Sequence, residues 1–234
     1  MDGLQWEMAL IYLDDVIVFG ATFEEELERL EVVLQRFRMA NLKLNPKKCV
    51  LFQHELPFLG HVVGEDGVKA DPQKVAAVKE WPVPKSVKEV RSFLGFCTYY
   101  RRFVRGFATI AAPLHRLTCK GASYHWEDVC QAAFEKLKEA LVEASVLPYP
   151  DPSLLYILDC DASTEGIGVV LSLVREGQEG VDAYYSAKFN PPEKNYCVTR
   201  KELLAVVKAV DHFHSYLYGA EFTICTDHAA LRWL

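Results

Sequence analysis

The chain has 234 residues, half of them hydrophobic, which is enough for one large or two ordinary packed domains. No stretch approaches the roughly 20 apolar residues that cross a bilayer, and Met1-Asp2-Gly3 opens without the basic start and apolar run of a signal peptide. Seven dispersed cysteines without a CxxC pair argue against a disulfide framework and for a reducing, intracellular setting in cytoplasm or nucleus. His212 and His214 have no Cys or His partner at finger spacing and read as ordinary core or surface histidines.

The net charge of −6 is unevenly spread. Residues 68–120 hold eleven Lys and Arg against Asp71, Glu80 and Glu89, a surplus of eight that leaves −14 for the remainder. A basic middle between acidic flanks suits a segment that grips a polyanion while its neighbours hold cations. A solvated basic helical face is the plainer reading of the same residues.

In chain order, Ile11-Tyr12-Leu13-Asp14-Asp15-Val16-Ile17-Val18-Phe19 reads as strand, tight turn, strand. Asp14 and Asp15 fit an ordinary turn, and they equally fit a divalent-metal site at the tip of a hairpin. Thr22 with Glu25 is a capping-box pattern, opening a helix with Phe23, Leu27, Leu30, Leu34 and Phe37 on its apolar stripe and Asn41 as terminator. A turn and short strand follow over 42–52, with Val50-Leu51-Phe52 as the strand. Phe58-Leu59-Gly60-His61-Val62-Val63 is half of a second hairpin turning at Glu65-Asp66-Gly67.

From Asp71-Pro72 the pattern is helical. Residues 72–80 form a helix stopped by Trp81-Pro82-Val83-Pro84. Ser86 caps another that turns Val90, Phe93, Leu94 and Cys97 inward. Tyr99, Tyr100, Arg101, Arg102, Phe103 and Arg105 mix aromatic and basic side chains, as backbone-tracking nucleic-acid surfaces do. An amphipathic helix over 128–143 turns Ala132, Phe134, Leu137 and Leu141 inward, and Pro148, Pro150 and Pro152 mark a boundary. Strands are predicted over 154–161, 166–172, 181–186 and 222–227, with a helix over 199–217 between the last two, an α/β arrangement.

Glu202 lies in line with Val206, Ala209 and Phe213, and a carboxylate on an apolar stripe is costly unless paired or metal-bound. Asp161 and Asp227 each end a strand, so three acids from three elements could form an oxygen-ligand site for Mg²⁺ or Mn²⁺. Each acid could also simply terminate its element. Asp159 shares strand parity with Asp161, and pattern alone does not choose between them.

Tyr12-Leu13-Asp14-Asp15 resembles the reverse transcriptase signature. Residues 42–49, 58–63 and 87–103 resemble the stretches that follow it in gypsy-type long-terminal-repeat retrotransposon polyproteins. Asp161-Ala162-Ser163 with Gly166-Ile167-Gly168, then Arg200-Lys201-Glu202-Leu203-Leu204-Ala205, then Thr226-Asp227-His228 resemble the ribonuclease H domain of the same polyproteins. The match runs nearly end to end, in the family's order.

The resemblance implies an α+β chain: a truncated polymerase palm over 1–67, a helical, basic thumb and connection over 68–150, and a truncated ribonuclease H-like α/β domain over 151–234. It implies an RNA-directed DNA polymerase with ribonuclease H activity, a magnesium-dependent nucleotidyltransferase and endonuclease. Asp14 and Asp15 match metal-binding palm aspartates, Tyr12 lies beside the template–primer end, and Phe58, Leu59 and Gly60 belong to the primer-grip hairpin. Arg101, Arg102 and Arg105 fall in the nucleic-acid-binding middle. Asp161, Glu202 and Asp227 match ribonuclease carboxylates, which selects Asp161 over Asp159. RNA–DNA hybrid, template–primer and deoxynucleoside triphosphates are the implied partners, with no membrane.

The family's palm has a further metal-binding aspartate upstream of the fingers' end, and its ribonuclease domain a fourth carboxylate beyond the region matched. The expectation is therefore little polymerase activity and weak ribonuclease activity from this chain. The rival is a nucleic-acid-binding retroelement remnant without catalysis.

Overall fold

A computed structural model describes residues 3–233, and the chain divides into two compact units, Met1–Leu59 and Gly60–Leu234. In the first, β1 (Ala9–Tyr12) and β2 (Asp15–Val18) form an antiparallel hairpin with Tyr12 opposite Asp15 and a two-residue turn at Leu13-Asp14. α1 (Phe23–Met39) starts where Thr22 Oγ1 accepts the Glu25 N–H at 3.2 Å. The Glu25 carboxylate reaches back to the Ala21 N–H at 2.7 Å, one residue before the cap, so the box closes on the neighbouring amide. At the other end Asn41 takes φ +55°, and the Asn41 and Leu42 N–H groups return to Arg38 and Phe37, a Schellman closure.

The buried stripe of α1 is rotated from the expected one. Val33 is buried with Leu4 and Ala9, and Phe37 packs at their edge, while Leu27 and Leu34 face outward. A unit of this size offers too little surface to cover both apolar faces of the helix. The strand expected over 50–52 does not form. Phe52 takes φ +55°, which interrupts an extended run, and its ring sits 4.9 Å from Phe23; β3 comes later, at Glu55–Phe58.

The second unit opens with the hairpin of β4 (His61–Gly64) and β5 (Gly67–Ala70), turning at Glu65-Asp66 as expected. The predicted proline-rich boundary is anchored: Val68 and Leu147 exchange backbone hydrogen bonds of 2.8 and 2.9 Å, and Tyr149 donates to Gly64 O at 2.8 Å. Asp71 caps α2 (Pro72–Lys79) and Ser86 caps α3 (Val87–Tyr99). A 3₁₀ turn over Arg101–Phe103 leads into α4 (Phe107–Ile110), α5 (Ala112–Leu117) and α6 (Asp128–Val142). Their core centres on Phe93 and Phe134, fully buried with rings 4.6 Å apart. On α6 it is Ala133 that is buried, not Ala132, because the inward face runs through Cys130, Ala133, Phe134, Leu137 and Leu141.

A four-stranded sheet follows, ordered β8 (Gln178–Lys188), β7 (Gly166–Arg175), β6 (Leu155–Ala162), β9 (Phe222–Cys225), with β9 parallel to β6 and the other pairs antiparallel. After the short α7 (Pro191–Lys194), α8 (Val198–His212) lays Ala205 and Ala209 on the face of Tyr156, Leu158 and Cys160. The predicted helix over 199–217 breaks at Phe213, whose φ of −96° and ψ of 16° cap α8 before α9 (His214–Leu217). Asp159, Asp161, Gly168 and Ser186 share the opposite sheet face. Its β8 edge is covered by the segment before α6: Ala108 N–H donates to Ser186 Oγ at 2.9 Å, and Arg101 donates to Ser186 O. Among the described residues no helix is long and apolar enough to cross a membrane.

Candidate metal centre and nucleic-acid interface

β6 delivers Asp161 at its C-terminal end, the segment after the parallel strand β9 delivers Asp227 beside it, and α8 brings Glu202 against the same end. One carboxylate oxygen from each lies within 4.8 Å of the other two, with Asp161 and Asp227 exposed and Glu202 buried. Glu202 is only 4% exposed, and its Oε2 is buried with no hydrogen-bond partner. Burial, then Asp227 and Asp161, push its carboxyl above the usual range, while the Ala162 N–H and His228 pull the other way. A buried, unpaired carboxylate oxygen facing two more acids is an unfavourable arrangement that a cation relieves. An all-oxygen donor set fits a hard divalent ion. Asp159 stays outside this cluster: it stands opposite Cys225 in the parallel register, where burial first and then the Asp159 carboxylate push the Cys225 thiol up.

Two residues that sequence reasoning passed over brace the centre. Thr199 Oγ1 lies 2.9 Å from His228 Nε2, linking the first turn of α8 to the residue after Asp227. His228 N–H also bonds Thr226 Oγ1 at 3.2 Å, fixing the turn that presents Asp227. The available signal was positional: Thr199 is three residues before Glu202, so both lie on one helix face.

The hairpin acids are placed differently. Asp14 and Asp15 sit exposed at the tip of β1–β2 beside Leu13, whose φ is +53°, and Tyr12 is 54% exposed. Among the described residues no third acid, His or Cys joins them within ligating reach. Phe58 is half-buried and Leu59 exposed in the first unit. In the second, Gly60 O accepts from Tyr100 Oη at 2.5 Å, and the His61 ring lies 5.2 to 5.8 Å from Tyr99, Tyr100 and Phe103.

The three arginines divide by environment. Arg101 is half-buried, bonded to Ser186 O and lying over the Phe107 and Tyr185 rings. Arg102 lies over Phe103 with a buried, unpartnered Nε. It faces Asp182, which is fully buried, has no hydrogen bond to either oxygen and is pushed up to about 6 by burial against the pull of Arg102 and Arg175. The β7–β8 register passes from Leu171 opposite Ala183 to Ser172 opposite Val181, so Asp182 is the extra residue of a β-bulge. Arg105 is exposed, just before Gly106 in the left-handed conformation that starts α4. It lines a cavity of about 340 Å³ that also contains Asp159, Asp161 and Asp227.

Comparison with known proteins gives a consistent picture. Residues 5–63 match the model of reverse transcriptase (RNA-dependent DNA polymerase), and residues 126–224 match that of the RNase H-like domain found in reverse transcriptase. The chain is 39% identical over 232 residues to the retrovirus-related Pol polyprotein from transposon 412 of Drosophila melanogaster, covering 99% of this chain and 19% of that protein. It is 36% identical over 241 residues to the Pol polyprotein from transposon gypsy of the same organism, covering 97% of this chain and 23% of that one. The Tf2-3 polyprotein of Schizosaccharomyces pombe is 34% identical over 94% of this chain, and 17% of it is covered. The chain thus spans about a fifth of the length of these relatives. Among solved structures, a foamy viral protease-reverse transcriptase in complex with RNA/DNA hybrid aligns with a TM-score of 0.79 at 25% identity, covering 92% of this chain and 30% of that one. The same viral protein in complex with dsDNA gives 0.80 at 24% identity, covering 97% of this chain and 48% of that one.

Proposed function

The chain belongs to the reverse transcriptase and RNase H-like families of retrotransposon Pol polyproteins, and from that premise we propose that its Asp161–Glu202–Asp227 centre hydrolyses the RNA strand of an RNA–DNA hybrid with Mg²⁺ or Mn²⁺. The observation that carries this reading is the convergence of three carboxylates on one point with Glu202 buried and one of its oxygens unpaired. Asp161 and Asp227, both open to solvent, would hold divalent ions on the substrate side, and Glu202 would hold them from beneath. When bound, the cation supplies Lewis acidity at the phosphodiester and a more acidic attacking water. The protein's share is to fix the oxygens in advance: α8 packing sets Glu202, and the Thr199–His228 link sets Asp227 relative to it.

In this reading residues 1–67 are palm, 68–150 thumb and connection, and 151–234 the ribonuclease H-like domain. Asp14 and Asp15 belong to the polymerase metal site, and Tyr12 with Phe58, Leu59 and Gly60 meets the template–primer. Of the three arginines expected on the nucleic-acid side of the middle segment, Arg105 is the exposed one, and Arg101 and Arg102 build the wall that carries it. Asp14 and Asp15 stand exposed at the hairpin tip, where their carboxylates would face a metal ion beside the template–primer. The activity this site supports best is metal-dependent hydrolysis at the ribonuclease centre.

The test uses the whole 234-residue chain on a hybrid labelled in its RNA strand, titrated with Mg²⁺ and Mn²⁺, with Mn²⁺ binding followed by calorimetry. Metal binding and RNA cleavage that both disappear in Asp161→Asn support the reading. Cleavage unchanged by that substitution would assign it to a contaminant, and absence of Mn²⁺ binding at millimolar concentration would refute the centre.

A further inference from the structure

The groove beside the carboxylates has a second wall that the ribonuclease H-like match, residues 126–224, does not include. Its floor is the open sheet face: Gly168 stands opposite Asp161, and Val170 opposite Asp159. A Cβ at Gly168 would meet nothing within 4 Å, so the floor is clear. One wall is the acidic end of β6 and β9. The other is the start of α4, with Arg105, Gly106 and Thr109, held over β8 by the Ala108–Ser186 and Arg101–Ser186 hydrogen bonds. β8, which carries the α4 wall, and β6, which carries Asp161, are separated by two inter-strand spacings, roughly 10 Å.

From this juxtaposition we propose that Arg105 is a phosphate-positioning residue for the ribonuclease centre, taking the backbone of the strand being cut at a phosphate adjacent to the scissile one. The inference rests on the hydrolytic reading of the carboxylate centre. A guanidinium presents a planar fork that matches phosphate oxygens two at a time, and it stays charged at any working pH. Arg101 is bonded to Ser186 and Arg102 sits over Phe103 beside buried Asp182, so each is occupied in holding the wall. Arg105 is the exposed one of the three, and it lines the cavity. Gly106, at φ +65°, turns the chain between the 3₁₀ segment and α4, and so presents Arg105 at the groove's rim. An arginine on the wall opposite the acids also fixes polarity: metal-held phosphate on one side, guanidinium-held phosphate on the other.

The experiment measures hybrid binding by the full chain without divalent metal across a salt series, for wild type, Arg105→Gln, Arg105→Lys and the outer-face control Lys136→Gln. Removing one phosphate contact should lower the slope of log K against log salt by about 0.7 to 0.9. Arg105→Gln should show that drop with unchanged Mn²⁺ binding. Arg105→Lys should keep the slope, and Lys136→Gln should match wild type. In hybrid cleavage, Arg105→Gln should raise KM more than it lowers kcat. An unchanged slope in Arg105→Gln, with hybrid still bound, overturns the Arg105 assignment alone. If Arg105→Gln and Lys136→Gln lower the slope equally, the contact is diffuse and the assignment also fails. Wild type that binds Mn²⁺ yet no hybrid overturns both this inference and the hydrolytic reading. Wild type that binds hybrid with the Arg105-dependent slope but never cleaves leaves the phosphate contact standing and refutes hydrolysis.

Discussion

Asp182→Asn tests whether the bulge acid is held against its own charge. Its carboxyl, ordinarily near 3.8, is pushed up to about 6 by burial, with Arg102 and Arg175 pulling it only part of the way back. A folded-state pKa above the unfolded one means the native chain holds the proton more tightly. Stability is therefore complete below about pH 4, falls as pH rises through 6, and carries the full cost above about pH 7. At 1.36 kcal/mol per tenfold change in proton affinity, the difference between 3.8 and about 6 amounts to about 3 kcal/mol at pH 8. It narrows to about half that at pH 5. Asparagine has nearly the same shape and never ionises, so the variant should be more stable than wild type at pH 8, by up to about 3 kcal/mol. For a unit of this size that is a rise of roughly 6 to 12 °C in Tm. The gap should shrink at pH 5 and close near pH 4, read by thermal melts of the full chain in matched ionic strength. A variant equal to or less stable than wild type at pH 8 would show that Arg102 satisfies the ionised carboxylate, and the argument from burial would fall.

Other expectations follow from single contacts. Gly67→Ala puts a Cβ at φ +131°, where Leu147 O lies 2.1 Å away, so it should break the Val68–Leu147 bridge. The cost should exceed about 1 kcal/mol in urea melts, and an unchanged midpoint would refute the tight approach. Thr199→Val removes the partner of His228 Nε2 and should weaken Mn²⁺ binding about tenfold or more with the melting temperature nearly unchanged; unaltered affinity would remove the bracing role. Phe134→Ala empties the centre of the helical core against Phe93 and Trp126 and should cost about 3 to 5 kcal/mol. A loss under about 1 kcal/mol would mean that the site collapses around the gap.

What was legible in the chain depended on how local its cause was. The caps at Thr22 and Ser86, the Asn41 stop and the two hairpin turns each depend on a few neighbouring residues, and each stands where the spacing put it. The strand expected over 50–52 failed because hydrophobic, β-branched composition does not reveal that Phe52 adopts φ +55°. The inward face of α6 was misplaced by one residue: the stripe through Cys130, Phe134, Leu137 and Leu141 passes through Ala133, four residues before Leu137, rather than Ala132. The convergence of Asp161, Glu202 and Asp227 was readable because Glu202 breaks an apolar stripe and the other two terminate strands. Asp182 was not. In a strict alternation its neighbours would share out the two faces of β8, and the bulge that turns it inward depends on pairing with a strand ten residues away.

The basic segment shows why composition located a function without resolving its parts. Eleven cations over 68–120 suggested one polyanion-binding surface, yet charge alone does not distinguish an arginine that touches a ligand from one that builds the platform. Arg101 covers the Phe107 and Tyr185 rings while bonding Ser186, a use of guanidinium as packing surface as much as charge. Arg102 lies near a carboxylate that burial keeps from ionising freely, and neither the Arg102 Nε nor either Asp182 oxygen has a hydrogen-bond partner. Arg105, two residues past the 3₁₀ turn and just before the Gly106 bend, is exposed at the groove. Adjacent cations thus divide into wall and contact according to where the 3₁₀ turn ends. Neutralising Arg101 should therefore loosen the α4–β8 packing and lower Tm along with hybrid affinity, whereas neutralising Arg105 should change the affinity alone.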